Sequence, residues 1–442
     1  MRMFESKGPL ENIDSSGALD LTFASRTRGQ EVANVKSAPL ASSRTVIVAG
    51  AGIGGLTAAL ALARNGFRAL VLEQAERLEE TGAGIQLSPN ATRILIGLGL
   101  ADRLRPHVVA PTGIRVLGAR TGREIVRIPL GEEAAQRYGA PYWVIHRGDL
   151  QAVLSEATLQ DLNVVFRLGM CVEDFATHPH GVTISARGTT GLWTEHGHAL
   201  IAADGLWSAS RARIASKKAP RFGGRSAWRA LVPAAQLAPE FREPVIHLWL
   251  GRDAHLVHYP VKAGKLINVV VITADDWRGP GWSEAAGRID LLAHLSAQRW
   301  APQAHSLIRA PEAWLKWALY ESEPLASFSQ GAAALLGDAA HASLPFLAQG
   351  AAMAIEDAAV AAQCLARMPD NAAAAWESYS AIRRGRTRKV HRLAARNGTR
   401  YHRTGIAAML RNTAMRLLGG ERLLRHYDWL YDWRPPAGLT IT

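Results

Sequence analysis

The chain has 442 residues, with 51 lysines and arginines against 38 acidic residues and a formal net charge of +13. Its composition, 48% hydrophobic and 20% charged, is ordinary for a globular protein and excludes wholesale disorder. Two cysteines, Cys171 and Cys364, exclude a disulfide framework or zinc ribbon, and no uncharged apolar run reaches the ~18 residues of a membrane helix.

Residues 1–43 hold five basic and five acidic residues without sustained periodicity, and are expected to form a flexible N-terminal extension. They resemble neither a secretory signal nor a transit peptide. Thr45–Ala49 is a short apolar run of buried-strand type. A glycine turn follows, then a helix through Leu56–Ala63 ending near Gly66, then a strand at Ala69–Leu72. Together these make a βαβ unit. Residues 112–130 alternate like a hairpin with Thr121-Gly122 as its turn. A helix is expected at 149–160, and several strands across 164–203 ending in Ala199–Ala202. Strand patterning returns across 225–275, notably at Val245–Leu250, Leu256–Val261 and Leu266–Thr273. Ala332–Leu336 reads as one more buried strand. From Gly350 onward the chain reads as helical, first alanine-rich and then arginine-rich.

The turn after the first strand is Gly50-Ala51-Gly52-Ile53-Gly54-Gly55, a G-x-G-x-x-G pattern that opens a helix. Gly50 permits the tight turn, Gly52 lets backbone approach a pyrophosphate, and Gly55 allows close helix packing. The helix N-terminus offers unpaired N–H groups to the phosphates. Glu73 ends the second strand, 23 residues after Gly50, where a carboxylate can bind ribose hydroxyls. The spacing points to a dinucleotide with an unphosphorylated ribose, FAD or NAD. Two later stretches separate these: Ala203-Asp204-Gly205-Leu206-Trp207-Ser208, and Leu336-Gly337-Asp338-Ala339-Ala340-His341 running on to Pro345-Phe346-Leu347-Ala348-Gln349-Gly350-Ala351.

With these motifs, together with His146-Arg147-Gly148-Asp149-Leu150 and Gly82-Ala83-Gly84-Ile85-Gln86, residues 44–390 resemble the group A flavoprotein aromatic hydroxylases of the p-hydroxybenzoate hydroxylase fold. The branch most similar is that of salicylate hydroxylase and 3-hydroxybenzoate 6-hydroxylase. The resemblance implies an α/β fold, with a Rossmann-like FAD-binding domain interleaved with a mixed β-sheet substrate domain and followed by a helical C-terminal tail. The FAD-binding domain is expected to take residues 44–110, 142–216 and 330–370. The substrate domain takes 111–141 and 217–329, and the tail 371–442. The implied cofactor is FAD, with NADH or NADPH as transient co-substrate and O₂ and a small aromatic molecule as the other partners. In this family oxygen adds at flavin C4a, and the hydroperoxide hydroxylates the ring. The cytoplasm is the expected compartment, without nucleic acid, membrane or metal; the oligomeric state is left open, with a homodimer among the options. A second reading keeps the same flavin chemistry on a non-phenolic natural product or quinone precursor; a third is a non-hydroxylating flavin-binding protein.

Residue by residue, the resemblance implies that Gly50, Gly52 and Gly55 hold the FAD pyrophosphate and Glu73 the adenosine ribose. Arg147 matches an arginine beside the flavin phosphate and ribityl chain, and Gln86 lies in a loop passing the flavin. Asp204 belongs to a motif linked to both FAD and nicotinamide. Asp338 accepts a ribityl hydroxyl, and Gly350 and Ala351 offer backbone N–H groups to the flavin pyrimidine edge. Glu356 and Asp357 are expected only to complement their helix or neighbouring arginines. His341 is either structural or pocket-adjacent.

On the substrate side, alternation along the strand puts His255, Val257 and Tyr259 on one face and His258 on the other. His255 and Tyr259 match a His/Tyr pair lining the substrate pocket in the resembled branch. Imidazole titrates near neutrality, so His255 is the candidate acceptor of a phenol proton, and Tyr259 an anchor for the ring or hydroxyl. Arg229, after Trp228, is either a carboxylate anchor or a surface ion-pair partner. Phe346 is expected to face the flavin front, where an apolar residue suits a less polar ring.

The charge is unevenly placed. Residues 44–376 carry net +3, whereas the last 66 residues carry 14 basic and 4 acidic side chains. Part of that excess is expected to pair with acids in the body of the protein, and the rest to steer anionic ligands.

Overall fold

The structure, a computed structural model, describes residues 44–78, 83–279, 281–296 and 298–436. The expected N-terminal extension, and Gly82 of the second glycine motif, lie outside the described residues. Two large sheets organise the rest. The first has six strands, in the order Ser329–Gln330, Ala333–Leu335, Ala199–Ala202, Thr45–Ala49, Arg68–Glu73 and Val164–Leu168. All neighbours in it are parallel except the terminal Ser329–Gln330 pair. Its central strands are buried on both faces, which is why they read as unbroken apolar runs.

The second sheet has eight strands, in the order Ser283–Gly287, Ala313–Glu321, Arg221–Pro233, Leu266–Ala274, Ala254–Val261, Ile246–Leu250, Gly113–Gly118 and Glu124–Pro129. It is antiparallel apart from the pairing of Ile246–Leu250 with Gly113–Gly118. A small two-stranded sheet, Gly84–Leu87 with Trp143–His146, lies beside the second sheet; the Gly84 N–H bonds Asn268 Oδ1 at 2.8 Å. The sequence pattern held no clear sign of this pair, because each strand is only four residues long.

The helix after the first strand spans Ile53–Arg64, starting earlier than its apolar run suggests because the glycine turn already supplies its first residues. The alanine-rich helix spans Gly350–Arg367 and is buried over most of its length. Small side chains let it press on the glycine turn: a Cβ on Gly54 would lie 3.1 Å from Ala354 Cβ and 2.6 Å from Leu336 Cδ2. The long helix Ala372–Tyr401 packs against it.

The arginine-rich tail is anchored by charge. Arg383, Glu356 and Asp357 are each fully buried, and Arg383 bonds both carboxylates at 2.6 Å. Arg386 adds bonds to Glu356 at 2.6 and 2.7 Å, and Asn90 Nδ2 donates to Glu356 at 2.6 Å. His341 Nε2 meets Asp357 Oδ2 at 2.5 Å, so its position is structural. Burial pushes the Asp357 carboxyl up, but His341 and Arg383 outweigh it and hold it at about 2. Trp433 lies under the guanidinium groups of Arg383 and Arg386 at 5.0 and 4.7 Å, and Trp429 under Lys389 at 3.7 Å.

Candidate functional site

One cavity of about 400 Å³ runs from the glycine turn to the second sheet. Its cofactor-side wall includes Gly52, Arg147, Asp338, Gly350 and Ala351, and its far wall includes Gln86, Arg229, His255 and Tyr259. Residues as far apart in the chain as Gly52 and Ala354 therefore share one space.

The glycine turn is built for a backbone-lined cradle. Gly50 has φ +101°, and a Cβ there would lie 2.5 Å from the Ala203 carbonyl oxygen. A Cβ on Gly55 would lie 1.9 Å from the Gly50 oxygen, so helix and strand close on each other only without side chains. At Gly52 no protein atom stands within 4 Å of such a Cβ, which leaves the open face of the cradle there. Glu73 ties the turn to the second strand: its Oε2 accepts the Ala51 N–H at 2.7 Å and its Oε1 the Ala75 N–H at 2.9 Å. Asp204 Oδ2 accepts the Ser210 N–H at 3.2 Å, while its Oδ1 is buried without a hydrogen-bond partner. Gly50, Gly55, Glu73 and Asp204 thus stand around the cradle, whereas Gly52 opens onto the cavity itself.

Asp338 opens a one-turn helix after Gly337, whose φ is +64°, and its exposed side chain caps nothing. The Gly337 N–H donates to Asp357 at 3.0 Å, so the buried ion network also fixes this loop. Gly350 and Ala351 lie in the first turn of their helix, where backbone N–H groups have no intrahelical acceptor. Ser88, Asn90 and Gln349 form a buried hydrogen-bonded chain that holds this helix start, with 2.6 Å from Ser88 to Asn90 and 2.9 Å from Gln349 to Ser88. That chain gives a physical reason for the Ser-Pro-Asn that follows Gln86. Arg147 begins the helix Arg147–Leu159, which Asp149 links by an ion pair to Lys262, in the turn after the strand Ala254–Val261.

An open glycine face, a helix N-terminus and a free Asp338, all on the cavity wall, are donors and acceptors of the kind a flavin dinucleotide requires. The residues present fit FAD.

On the far wall, His255, Val257 and Tyr259 face the cavity as the alternation implies. His258 faces away, stacked on His247 at 4.3 Å. Gln86 Oε1 accepts the Tyr142 hydroxyl at 2.7 Å. Burial raises the Tyr259 hydroxyl, against the opposing influence of Arg229. Arg229 lies over the Trp317 ring at 5.2 Å and, among the described residues, forms no ion pair with a carboxylate. Burial, and then repulsion from Arg147, lower it to about 10, so it stays charged at neutral pH. Of the two roles open to it, a surface ion pair is therefore not the one seen. Trp228 stacks instead with Lys316.

Two features were not legible in the sequence. His255 Nδ1 lies 2.8 Å from Nε2 of His402, a residue of the tail with no motif around it. Phe346 is buried behind this pair, with ring centroids 5.7 Å from His255 and 5.8 Å from His402, and it does not line the cavity. The expected apolar face toward the flavin is thereby corrected. The helix Ala372–Tyr401 passes so close at Gly398 that it takes up the Phe346 ring, which a Cβ would meet at 2.7 Å.

The geometry is that of a dinucleotide cradle opening onto a wall that carries Arg229, His255 and Tyr259. The family described as FAD binding domain matches residues 43–394, and the chain belongs to it. Its enzyme class is FAD-dependent monooxygenase of the aromatic hydroxylase type. It is 35% identical to 3-hydroxybenzoate 6-hydroxylase 1 of Aquipseudomonas alcaligenes, over 87% of this chain and 97% of that protein. Among solved structures it is similar to a salicylate hydroxylase substrate complex, with TM-score 0.76, 25% identity and coverage of 90% of this chain and 98% of that one. A similar match is to Klebsiella pneumoniae HpxO complexed with FAD and uric acid, with TM-score 0.76, 26% identity and coverage of 86% and 95%.

Proposed function

We propose that the protein hydroxylates a small phenol carrying a carboxylate, a salicylate- or hydroxybenzoate-like compound, using NADH or NADPH and O₂. The observation that carries this reading is the charged, carboxylate-free Arg229 in the same cavity wall as His255 and Tyr259. A half-buried cation beside Arg147 gains most from an incoming anion. Arg229 takes the carboxylate, Tyr259 orients the ring or its hydroxyl, and His255 accepts the phenol proton. Loss of that proton raises the electron density of the ring toward an electrophilic oxygen.

On the cofactor side, Gly50, Gly52 and Gly55 would admit the pyrophosphate, with Glu73 and Asp204 around the cradle. Asp338 and Arg147 would hold the ribityl and phosphate region, Gln86 would border the flavin, and the N–H groups of Gly350 and Ala351 would face its pyrimidine edge. FAD, when bound, supplies the redox chemistry, accepting electrons from the nicotinamide and activating O₂. The chain's part is to hold, orient and exclude water; fixed N–H dipoles at Gly350 and Ala351 would favour a negatively charged flavin ring.

The exposed stripe Ile406, Met409, Leu410 and Leu417, each 61–79% exposed on the helix Gly405–Arg425, supports a homodimer closed through that face. Among the described residues no helix is long and apolar enough to cross a membrane. The cytoplasm, where reduced nicotinamide is regenerated, is the compartment that suits this chemistry. The test is NAD(P)H consumption over a panel of hydroxybenzoates, decarboxylated phenols, pyridines and indoles, with product identification. Hydroxylated product from carboxylated phenols supports the reading; turnover only of uncharged rings overturns it.

A further inference from the structure

His402 follows the last turn of the helix Ala372–Tyr401 and lies 147 residues from His255 in sequence. Both rings are buried, and Tyr401 and Phe346 enclose the pair. Two imidazoles 2.8 Å apart, nitrogen to nitrogen, share one proton, so one ring donates and the other accepts. The charged groups acting on the pair are cations: Arg225 on both rings and Arg411 on His402. Arg225 is engaged with the Asp253 carbonyl, and Arg411 with the carbonyls of Arg400 and Tyr401. Burial first, then His402 and Arg225, keep His255 well below the ordinary histidine range, and burial, Arg225 and Arg411 keep His402 down at about 3, so both are neutral at working pH. The near-neutral titration expected of His255 is thereby corrected: it takes a proton only together with the phenolate formed beside it, whose negative charge offsets that of the imidazolium.

The direction of the shared proton follows from the place of His255 in the cavity wall. A base there needs a bare lone pair on Nε2, which leaves the ring proton of a neutral His255 on Nδ1, the nitrogen that meets His402. His402 Nε2 is then the acceptor, and the proton of that ring stands on the buried Nδ1, which has no hydrogen-bond partner among the described residues.

We propose that His402 is the positioning residue of the acid–base wall: it accepts the Nδ1 proton of His255 and so keeps the His255 Nε2 lone pair available to the cavity. In the step it serves, the phenol O–H bond breaks and its electron pair stays on oxygen. The proton forms a new N–H bond at His255 Nε2, and the Nδ1–H of the resulting imidazolium stays shared with His402. An orienting group for a catalytic histidine is commonly a carboxylate. Here it is a neutral ring, which sets the tautomer without adding charge to a pocket that must hold a phenolate. This rests on the reading of His255 as the base.

The tautomer is read directly by ¹⁵N NMR of the FAD-loaded enzyme labelled at histidine, with the His255 signals assigned by their loss in His255→Gln. The wild type is expected to show His255 protonated at Nδ1 and bare at Nε2. His402→Phe shifts His255 toward the Nε2–H form and lowers kcat at least about tenfold with KM nearly constant, part of the range of general-base catalysis. His402→Gln, whose Oε1 can accept the same proton, recovers most of that loss. In a His255→Gln background, adding His402→Phe costs no further activity, because the effect passes through His255. A wild-type His255 carrying its proton on Nε2, or an undiminished His402→Phe defect in the His255→Gln background, overturns the assignment of His402. Full hydroxylation by His255→Gln overturns the base itself, so the two failures are read in different experiments.

Discussion

Replacing Arg383 by Met is the sharpest probe of how the tail holds the cofactor loop. Arg383 is fully buried and bonds Asp357 and Glu356 at 2.6 Å each. At such separations a pair is worth roughly 6 kcal/mol of gross attraction at an effective dielectric constant of about 20, and most of that repays desolvation. Removing one partner leaves the desolvation cost standing. Glu356 keeps Arg386 and Asn90, but among the described residues Asp357 keeps only His341 and the Gly337 N–H. The uncompensated charge is therefore Asp357, and Arg383→Met should cost about 3–5 kcal/mol at neutral pH. The pH dependence follows from the depressed carboxyl. In the wild type Asp357 titrates at about 2, below its ordinary value, so its contribution is present above pH ~4 and is lost as pH falls toward 2. Without Arg383 that carboxyl rises, so the defect is largest at neutral pH and shrinks on acidification. Asp357→Asn added to Arg383→Met should recover part of the loss. Urea unfolding of the apo-protein followed by tryptophan fluorescence measures the stability, and flavin fluorescence measures FAD release. A loss under about 1 kcal/mol, or no recovery in the double variant, refutes the reasoning.

The remaining predictions concern the site and the surface. Gly55→Ala should abolish FAD retention and destabilise the fold, because its Cβ would sit 1.9 Å from the Gly50 oxygen. Gly52→Ala, with no protein atom within 4 Å, should leave the fold intact and weaken FAD binding alone; equal effects on both, by thermal melting with and without FAD, count against the cradle. Arg229→Met should raise KM for a carboxylated phenol by roughly 100-fold and leave a decarboxylated analogue little changed, as for a truncated buried charge pair; equal effects on both substrates remove the carboxylate role. Burial lowers His247 to about 4 and His402 to about 3. Both folded values lie below the unfolded one, so stability is full above pH ~6.5 and falls with acidification, by about 2 kcal/mol per ring between pH 7 and 5; a flat stability profile of the apo-protein over that range contradicts their burial. Leu410→Glu should convert a homodimer to monomer by light scattering, and a size unchanged from wild type rejects that face.

What the sequence determined by itself was local. The glycine turn was legible because strand, turn and helix lie within a few residues of one another, and the two-residue alternation of one strand placed His255 and Tyr259 on a common face. Glu356 and Asp357 were legible only as charges in need of arginines; that Arg383 reaches both, and that Asp357 also takes the Gly337 N–H, required two helices to be packed. The tertiary structure alone decided that Arg229 goes without a carboxylate among the described residues, that Phe346 stands behind the pocket, and that His402 meets His255. These are contacts between elements distant in the chain, and periodicity reports which way a side chain points from its own element, never what another element brings to meet it. The net charge of +13 divides in the same way. Its concentration in the tail is visible in the sequence, but only the fold turns Arg383 and Arg386 into a buried anchor while leaving other arginines at the surface.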